Sequence, residues 1–122
     1  KAPRTIVLVD DEDDVRSVMK SVLCQRGYTV LDAASGADAI QLLAGHSGAV
    51  DMLVTDVLMP GMSGRELYEH LAHRHPGLKV LYVSGYADDA FAHEQEWGNA
   101  FLSKPFSLET LVQRVRDGLS RS

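Results

Sequence analysis

Short apolar runs alternate with amphipathic segments along this 122-residue chain. Most of the runs are rich in β-branched residues and end abruptly at polar positions, which is typical of strands buried on both faces of a parallel sheet. The predicted strands are Thr5–Val9, Thr29–Leu31, Asp51–Thr55, Lys79–Val83 and Asn99–Leu102. We therefore expect five strands, each followed by a helical segment.

Helical periodicity is clearest after the first strand and at the end of the chain. The first helix has an apolar face made of Val15, Val18, Met19, Val22 and Leu23. Gly27 follows as a stop signal. Ser107 is the predicted N-cap of the last helix, whose apolar face runs from Leu108 to Leu119.

The helical segments between these two are shorter or weaker. Ser35 is the predicted N-cap of a second helix. A third helix begins after the turn-rich residues 60–64 and ends near residues 75–77. Residues 86–96 have only a weak helical pattern. Strand–helix repeats with short connections imply right-handed crossovers, so the predicted fold is a three-layer α/β domain with a parallel sheet between two layers of helices.

Composition limits the class of protein. A chain of 122 residues has the usual size of one domain, so we expect a single domain over residues 1–122. Seventeen acidic and 12 basic residues give a net charge of −5, which disfavours direct contact with nucleic acid. No apolar run is long enough to span a bilayer, so we expect no membrane contact and a cytoplasmic location. Cys24 falls in an apolar helical pattern, which predicts a buried thiol in a reducing compartment.

Polar groups with complementary chemistry follow four of the five predicted strands. Asp10 and Asp11 follow the first strand, Asp56 the third, Ser84 the fourth and Lys104 the fifth, whereas the second strand ends without comparable chemistry. In parallel α/β sheets the carboxyl ends of the strands form the ligand site. For Asp10 or Asp56 taken singly, a solvated strand end or a helix cap is an equally good explanation, and for Lys104 alone it is the better one, but the set indicates a site.

The chemistry of this set favours a divalent cation and a phosphoryl group. Three carboxylates at one edge repel each other unless a cation intervenes, and a hard ion such as Mg²⁺ prefers oxygen ligands. Mn²⁺ is the alternative ion. The hydroxyl of Ser84 and the ammonium of Lys104 suit phosphoryl oxygens, and Asp56 is a competent nucleophile because its carboxylate is ionised at neutral pH.

Two other site types are excluded by spacing. The alternating acids from Asp10 to Asp14 suggest a calcium loop, but its sixth position is Val15 instead of glycine and its twelfth is Ser21 instead of glutamate. A nucleotide-binding P-loop has no match in the chain.

Four motifs in order carry a resemblance to a known family. They are Ile6–Glu12, Val54–Gly64, Val83–Gly85 and Phe101–Phe106. With these motifs, almost the whole chain resembles the receiver domain of two-component response regulators, a module related to the bacterial chemotaxis response regulator. The resemblance implies a flavodoxin-like, doubly wound, five-stranded parallel sheet with strand order 2-1-3-4-5.

The resemblance also implies roles for the acidic residues. Asp56 would accept a phosphoryl group from a phosphohistidine. Asp11 would bind Mg²⁺ directly and Asp10 mainly through water. Asp56 and the backbone carbonyl of Leu58 would complete the metal ligands.

Phosphoryl binding and switching would fall to residues on the last two strands. Ser84 and Lys104 would each bind a phosphoryl oxygen, and Gly85 would leave access to Asp56 because it lacks a side chain. Phe101 holds the position of the family's aromatic switch, which is frequently tyrosine, and it lacks the hydroxyl that would lock either state. A cis peptide bond between Lys104 and Pro105 is frequent in the family.

Leu58 and Tyr86 are the expected modulators of phosphoryl lifetime. Both positions lie over the acceptor in the family, where an apolar and an aromatic side chain would hinder the hydrolytic water. We therefore expect a fairly long-lived acyl phosphate.

The implied partner is a histidine kinase or a histidine phosphotransfer domain, with a phosphorylation-dependent homodimer as a further expectation. The sequences of the last two motifs resemble those of receivers at the C-terminus of hybrid sensor histidine kinases. In some cases such a parent kinase is anchored in the membrane. The domain itself would not be an enzyme beyond its own phosphotransfer and dephosphorylation. The alternatives are a haloacid-dehalogenase-type phosphatase with Asp10 as nucleophile and a pseudo-receiver that only binds proteins.

Overall fold

The computed structural model describes residues 3–85 and 100–120. Within these residues the chain forms the strands β1 (Thr5–Val9), β2 (Thr29–Ala33), β3 (Met52–Asp56), β4 (Lys79–Ser84) and β5 (Phe101–Ser103). The described helices are α1 (Asp13–Gln25), α2 (Gly36–Ala44), α3 (Gly64–Arg74) and α4 (Leu108–Ser120). The weak helix predicted over residues 86–96 lies outside the described residues.

The strands form one parallel sheet in the order β2-β1-β3-β4-β5, as the resemblance implies. Register brings the strand ends together, because Val9 pairs with Thr55, Asp56 with Val83, and Ser84 with Ser103. The residues that follow β1, β3, β4 and β5 therefore emerge at one edge.

Side chains of the central strands point alternately to two cores. On β1, Ile6 and Leu8 join the core that includes Leu111 and Val115 of α4. Val7 belongs to the second core, which includes Leu67 and residues of α2 and α3. The three-layer prediction is confirmed by these two separate cores on opposite faces of the sheet.

Three serines cap the helices that follow loops. Ser35 accepts a hydrogen bond from the backbone N–H of Asp38 at 3.1 Å, and Ser107 accepts one from Thr110 at 3.0 Å, which confirms both predicted caps. Ser63 forms a full capping box with Glu66, an interaction that the turn-rich pattern alone did not predict.

Two predictions for α1 are wrong. Cys24 is exposed, and Val18 is 50% exposed. The buried line of α1 is set by Met19 and Leu23, which are four residues apart and lie on one face. Cys24 is one residue beyond Leu23, so it is rotated by about 100° away from that line.

None of the helices within residues 3–85 and 100–120 is long and apolar enough to cross a membrane.

Candidate functional site

A cleft of about 420 Å³ opens at the carboxyl edge of the sheet. It is lined by Asp11, Glu12, Asp56, Leu58, Val83, Ser84, Gly85 and Lys104. We call this cleft, together with the adjoining Asp10, the acidic cleft. Six predicted site residues line it directly, so the fold brings together side chains that are up to 93 positions apart in the chain.

Three carboxylates form the centre of the acidic cleft. Asp10, Asp11 and Asp56 each offer an oxygen, and these atoms lie within 4.8 Å of one another. Asp10 is 1% exposed and Asp56 is 6% exposed, whereas Asp11 faces solvent. Three hard oxygen donors at this spacing, one of them open to solvent, fit a divalent cation that keeps several waters.

Lys104, which directly follows β5, places its ammonium among these carboxylates. Its Nζ lies 3.2 Å from Asp56 Oδ1 and 3.4 Å from Asp10 Oδ2. The same atom lies 3.1 Å from Glu12 Oε1. Partial burial opposes the charge, but the charge of Asp56 and the hydrogen bond to Glu12 outweigh it and raise the pKa of Lys104. The side chain is therefore an ammonium at neutral pH.

The Asp56 carboxyl is the most perturbed acid in the acidic cleft. Burial, followed by the negative charge of Asp10, raises its pKa to about 7 against the opposing effect of Lys104. The protein thus holds Asp56 in a place where its charge is costly until a cation compensates it. Nearby cations would return Asp56 to the ionised form in which it is nucleophilic.

The connection after β3 is held close to the sheet. The N–H of Val57 donates to the carbonyl of Val83 at 2.9 Å, and the N–H of Gly64 donates to the carbonyl of Val57 at 2.8 Å. A Cβ at Gly64 would collide with the carbonyl oxygen of Asp56. Gly64 does not have a positive φ. A glycine is therefore required at this position for close approach to the backbone of β3.

Asp10 is fixed by contacts with β2, with the loop after β1 and with α1. Its N–H donates to the carbonyl of Ala33 at 3.2 Å, and its Oδ1 accepts the N–H of Glu12 at 2.8 Å. The carbonyl of Asp10 accepts a hydrogen bond from Nη1 of Arg16 at 2.6 Å. Both the side chain and the backbone of Asp10 are thus held.

Sequence reasoning missed two residues of this region. Glu12 has no role among the residues predicted from the sequence, yet it accepts a hydrogen bond from Lys104; its place as the third acid after β1 was an available signal. Arg16 lies on the polar side of α1 and pairs with Asp32, so β2 does carry chemistry near its end. Asp32 does not line the acidic cleft, and its partners are Arg16 and Lys20.

The residues of β4 and β5 lie where the sequence predicts them. Ser84 is buried, and its carbonyl accepts the backbone N–H of Lys104 at 2.7 Å. A Cβ at Gly85 would make only ordinary contact with Lys104, at 3.7 Å, so the role of Gly85 in access stays a prediction. The Lys104–Pro105 peptide bond is cis.

Phe101 points into the protein and is not among the residues that line the cleft. It packs with Val57 and Tyr82, and its carbonyl accepts a hydrogen bond from Arg114. This is the inward position of an aromatic residue, and its switching role stays a prediction. Of the two expected modulators, Leu58 is 54% exposed at the mouth of the cleft, and Tyr86 lies outside the described residues.

Comparison with known proteins identifies the family. The family model for the response regulator receiver domain matches residues 6–116. The chain belongs to this family. As a receiver domain it is a phospho-accepting module of two-component signalling. The solved receiver domain of the hybrid histidine kinase CckA shares the fold, with a TM-score of 0.79 and 36% identity; the match covers 95% of this chain and 99% of that one.

Two curated relatives place the receiver domain within longer proteins. It is 45% identical over 121 residues to the sensor kinase CckA of Brucella abortus, a match that covers 96% of this chain and 13% of the kinase. It is 32% identical over 115 residues to the DNA-binding transcriptional regulator NtrC of Escherichia coli strain K12, covering 93% of this chain and 24% of the regulator. The chain therefore spans a minor part of each relative.

Proposed function

We propose that Asp56 is the residue that accepts the phosphoryl group, from a phosphohistidine and in a Mg²⁺-dependent reaction. One observation carries the assignment: the buried carboxylate of Asp56 shares a cleft with two further aspartates and lies 3.2 Å from Lys104 Nζ. Asp10 and Asp11 have the same side chain, but Asp11 is exposed and Asp10 is tied to the N–H of Glu12.

The metal ligands in this proposal are the carboxylates of Asp10, Asp11 and Asp56 and the backbone carbonyl of Leu58. The fit rests on the donor set, which is three oxygens within 4.8 Å of one another. When bound, Mg²⁺ supplies positive charge to the phosphoryl oxygens and helps to orient them. Mn²⁺ is the alternative, because it accepts similar oxygen ligands.

The side chains around Asp56 have separate roles in the phosphoryl transfer. An ionised Asp56 oxygen forms the new O–P bond as the N–P bond of the phosphohistidine breaks, and the electron pair stays on the imidazole. The Lys104 ammonium pairs with one phosphoryl oxygen and the Ser84 hydroxyl donates to another, so charge on the transferred group is stabilised by groups already in place. Gly85 leaves the approach open, and Leu58 and Tyr86 shield the product from water.

Phosphorylation then changes the surface that partners recognise. We propose that Ser84 moves toward the phosphoryl group and that Phe101 responds by changing position. The partners are a histidine kinase or a histidine phosphotransfer domain, and the phosphorylated form pairs with a second copy.

The parent chain in this proposal is a hybrid sensor kinase with the receiver at its C-terminus. Support comes from two matches whose names both refer to the kinase CckA: the sensor kinase of Brucella abortus and the solved receiver domain of a hybrid histidine kinase. In this proposal the receiver lies in the cytoplasm, whether or not its parent kinase is anchored in the membrane.

The test is to incubate the domain with acetyl phosphate and Mg²⁺, trap the product by reduction, and map the modified residue by mass spectrometry. Label on Asp56 that is lost with EDTA and in Asp56→Asn supports the proposal. Label on Asp10 would overturn the assignment of the acceptor. A domain without label, although it remains folded, would be a pseudo-receiver and would overturn the proposal as a whole.

A further inference from the structure

Arg16 uses all three of its side-chain nitrogens beside the acidic cleft. Nη1 donates to the carbonyl of Asp10 at 2.6 Å, Nε to Asp32 at 3.0 Å and Nη2 to Asp13 at 2.7 Å. The side chain is only 15% exposed. Such a fork of contacts has one geometry, because the guanidinium is planar and rigid. Arg16 is thus held by two carboxylates while it holds a backbone carbonyl.

That carbonyl belongs to the peptide that joins Asp10 to Asp11. A peptide unit is planar, so a fixed carbonyl direction also fixes the direction of the Asp11 N–H and restricts the backbone of Asp11. Asp11 is the exposed member of the three aspartates. The hydrogen bonds given above fix Asp10, on its N-terminal side, and do not involve the Asp11 side chain. Its orientation therefore depends on the peptide that Arg16 grips.

The charges around Arg16 are balanced. The group formed by Asp13, Arg16, Lys20 and Asp32, which we call the Arg16 cluster, pairs two carboxylates with two cations. Burial alone would lower the pKa of Arg16, but the hydrogen bonds and charges of Asp13 and Asp32 outweigh it and raise that pKa. Arg16 is therefore always charged, and its charge is compensated locally instead of acting on the acidic cleft.

We propose that Arg16 is a positioning residue that preorganises Asp10 and Asp11 for a divalent cation by fixing the peptide between them. The inference rests on the proposed function, because it requires Mg²⁺ to bind among Asp10, Asp11 and Asp56. Partners of this kind, one step removed from a metal, typically change metal affinity by about 10-fold to 100-fold when removed.

The experiment measures Mg²⁺ affinity by isothermal titration calorimetry and by amide chemical shifts, with no phosphodonor present. Arg16→Ala raises the dissociation constant for Mg²⁺ by about 10-fold. Lys20→Ala is the matched control, because Lys20 binds the same Asp32 at 3.0 Å but has no contact with Asp10 among its described interactions. This control stays within about twofold of wild type, as expected for a partly exposed ion pair.

The sign of the change separates positioning from charge. Removal of Arg16 leaves Asp13 and Asp32 less compensated, so a purely electrostatic role predicts tighter Mg²⁺ binding in Arg16→Ala. Unchanged or tighter binding overturns the inference. Arg16→Lys keeps the charge but loses the fork, and it is expected to bind Mg²⁺ more weakly than wild type. Binding equal to wild type in Arg16→Lys also overturns it, and this variant decides if Arg16→Ala does not fold.

A second measurement follows the initial rate of Asp56 phosphorylation against Mg²⁺ concentration. The half-saturating Mg²⁺ concentration rises about 10-fold in Arg16→Ala, in line with the loss of affinity, while the rate at saturating Mg²⁺ stays within twofold. A lower saturating rate with an unchanged half-saturation point overturns the positioning role. If wild type itself binds no Mg²⁺, the proposed function fails together with this inference. If wild type binds Mg²⁺ and both variants match it, only this inference fails.

Discussion

The acidic cleft and the Arg16 cluster both combine aspartates with basic side chains, and they meet at Asp10. The side chain of Asp10 belongs to the cleft, and its carbonyl is bound by Arg16. In the cleft, four carboxylates among the described residues face a single ammonium, whereas the Arg16 cluster pairs two with two. Negative charge is thus left in excess in the acidic cleft and is balanced in the Arg16 cluster.

The two regions shift the pKa of an aspartate in opposite directions. Burial and the charge of Asp10 raise the pKa of Asp56 to about 7. Burial also acts to raise the pKa of Asp32, but hydrogen bonds from Lys20 and Arg16 outweigh it and lower that pKa. An excess of negative charge therefore prepares a site to gain stability from an added cation, and a balanced cluster has little to gain.

The largest expected effect comes from replacing one aspartate in each region. Asp56→Asn abolishes phosphorylation by acetyl phosphate, because an amide lacks the ionised oxygen that attacks phosphorus. Asp32→Asn, in the Arg16 cluster, keeps a saturating rate within about threefold of wild type, since losses of this size are usual for supporting polar contacts. Both are measured as phosphoprotein formed per minute at saturating Mg²⁺. Equal losses in the two variants would contradict the contrast between the regions.

The next effect compares the two lysines. Lys104→Ala lowers the rate of Asp56 phosphorylation by about 100-fold, the typical effect of removing one preorganised donor from a developing anion. Lys20→Ala leaves this rate nearly unchanged, because Lys20 pairs with Asp32 outside the acidic cleft. Single-turnover rates at saturating Mg²⁺ measure both. A wild-type rate in Lys104→Ala would remove Lys104 from the proposed mechanism.

Stability against pH gives a third contrast. Because the folded state raises the pKa of Asp56 from 3.8 to about 7, this group makes the metal-free fold less stable as pH rises from about 4 to 7. After a discount for solvent screening, Asp56→Asn is expected to stabilise the metal-free domain by about 2 kcal/mol at pH 8. Asp32 has a lowered pKa, so its stabilisation is present at neutral pH and is lost on acidification.

The matched variant is therefore Asp32→Asn, which destabilises the domain by about 1 kcal/mol at pH 8. Urea unfolding with EDTA, at several pH values, measures both differences. Asp56→Asn that is less stable than wild type at pH 8 would show that the excess charge of the acidic cleft is already compensated without a metal.

The smallest effect concerns the mouth of the cleft. Leu58→Asn shortens the half-life of the acyl phosphate by about fivefold, because a polar side chain at this position admits and orients water. Leu42→Asn is the control, since Leu42 is a similarly exposed leucine on α2 that does not line the cleft. The half-life is timed on isolated phosphorylated domain in Mg²⁺. A wild-type half-life of seconds that Leu58→Asn leaves unchanged would refute the shielding role.

Sequence reasoning could predict the sheet and the grouping of Asp10, Asp11, Asp56, Ser84 and Lys104. Parallel register aligns strand ends, so buried runs and the residues that follow them are enough to place these side chains at one edge. The caps at Ser35 and Ser107 were predictable for a similar reason, because their hydrogen bonds join neighbours in the chain.

Contacts that depend on the length of a side chain or on close packing of the backbone could not be predicted in this way. The long side chain of Arg16 crosses from α1 to β2 and to the loop after β1, and periodicity says only that it lies on a polar face. Gly64 is glycine because of the Asp56 carbonyl, a contact that no local pattern encodes. The exposure of Cys24 depends on which residues of α1 face the sheet, because a shift of one residue turns a side chain by about 100° around the helix axis.

That exposed thiol has a practical consequence. Cys24 is the only cysteine of the chain, and it lies on the same helix as Arg16, eight residues further on. A fluorophore or spin label coupled to it would therefore attach at one place, with its Cα about 12 Å along the helix axis from the Cα of Arg16. Magnesium binding and phosphorylation can then be followed spectroscopically on the natural sequence, without introducing or removing a single residue.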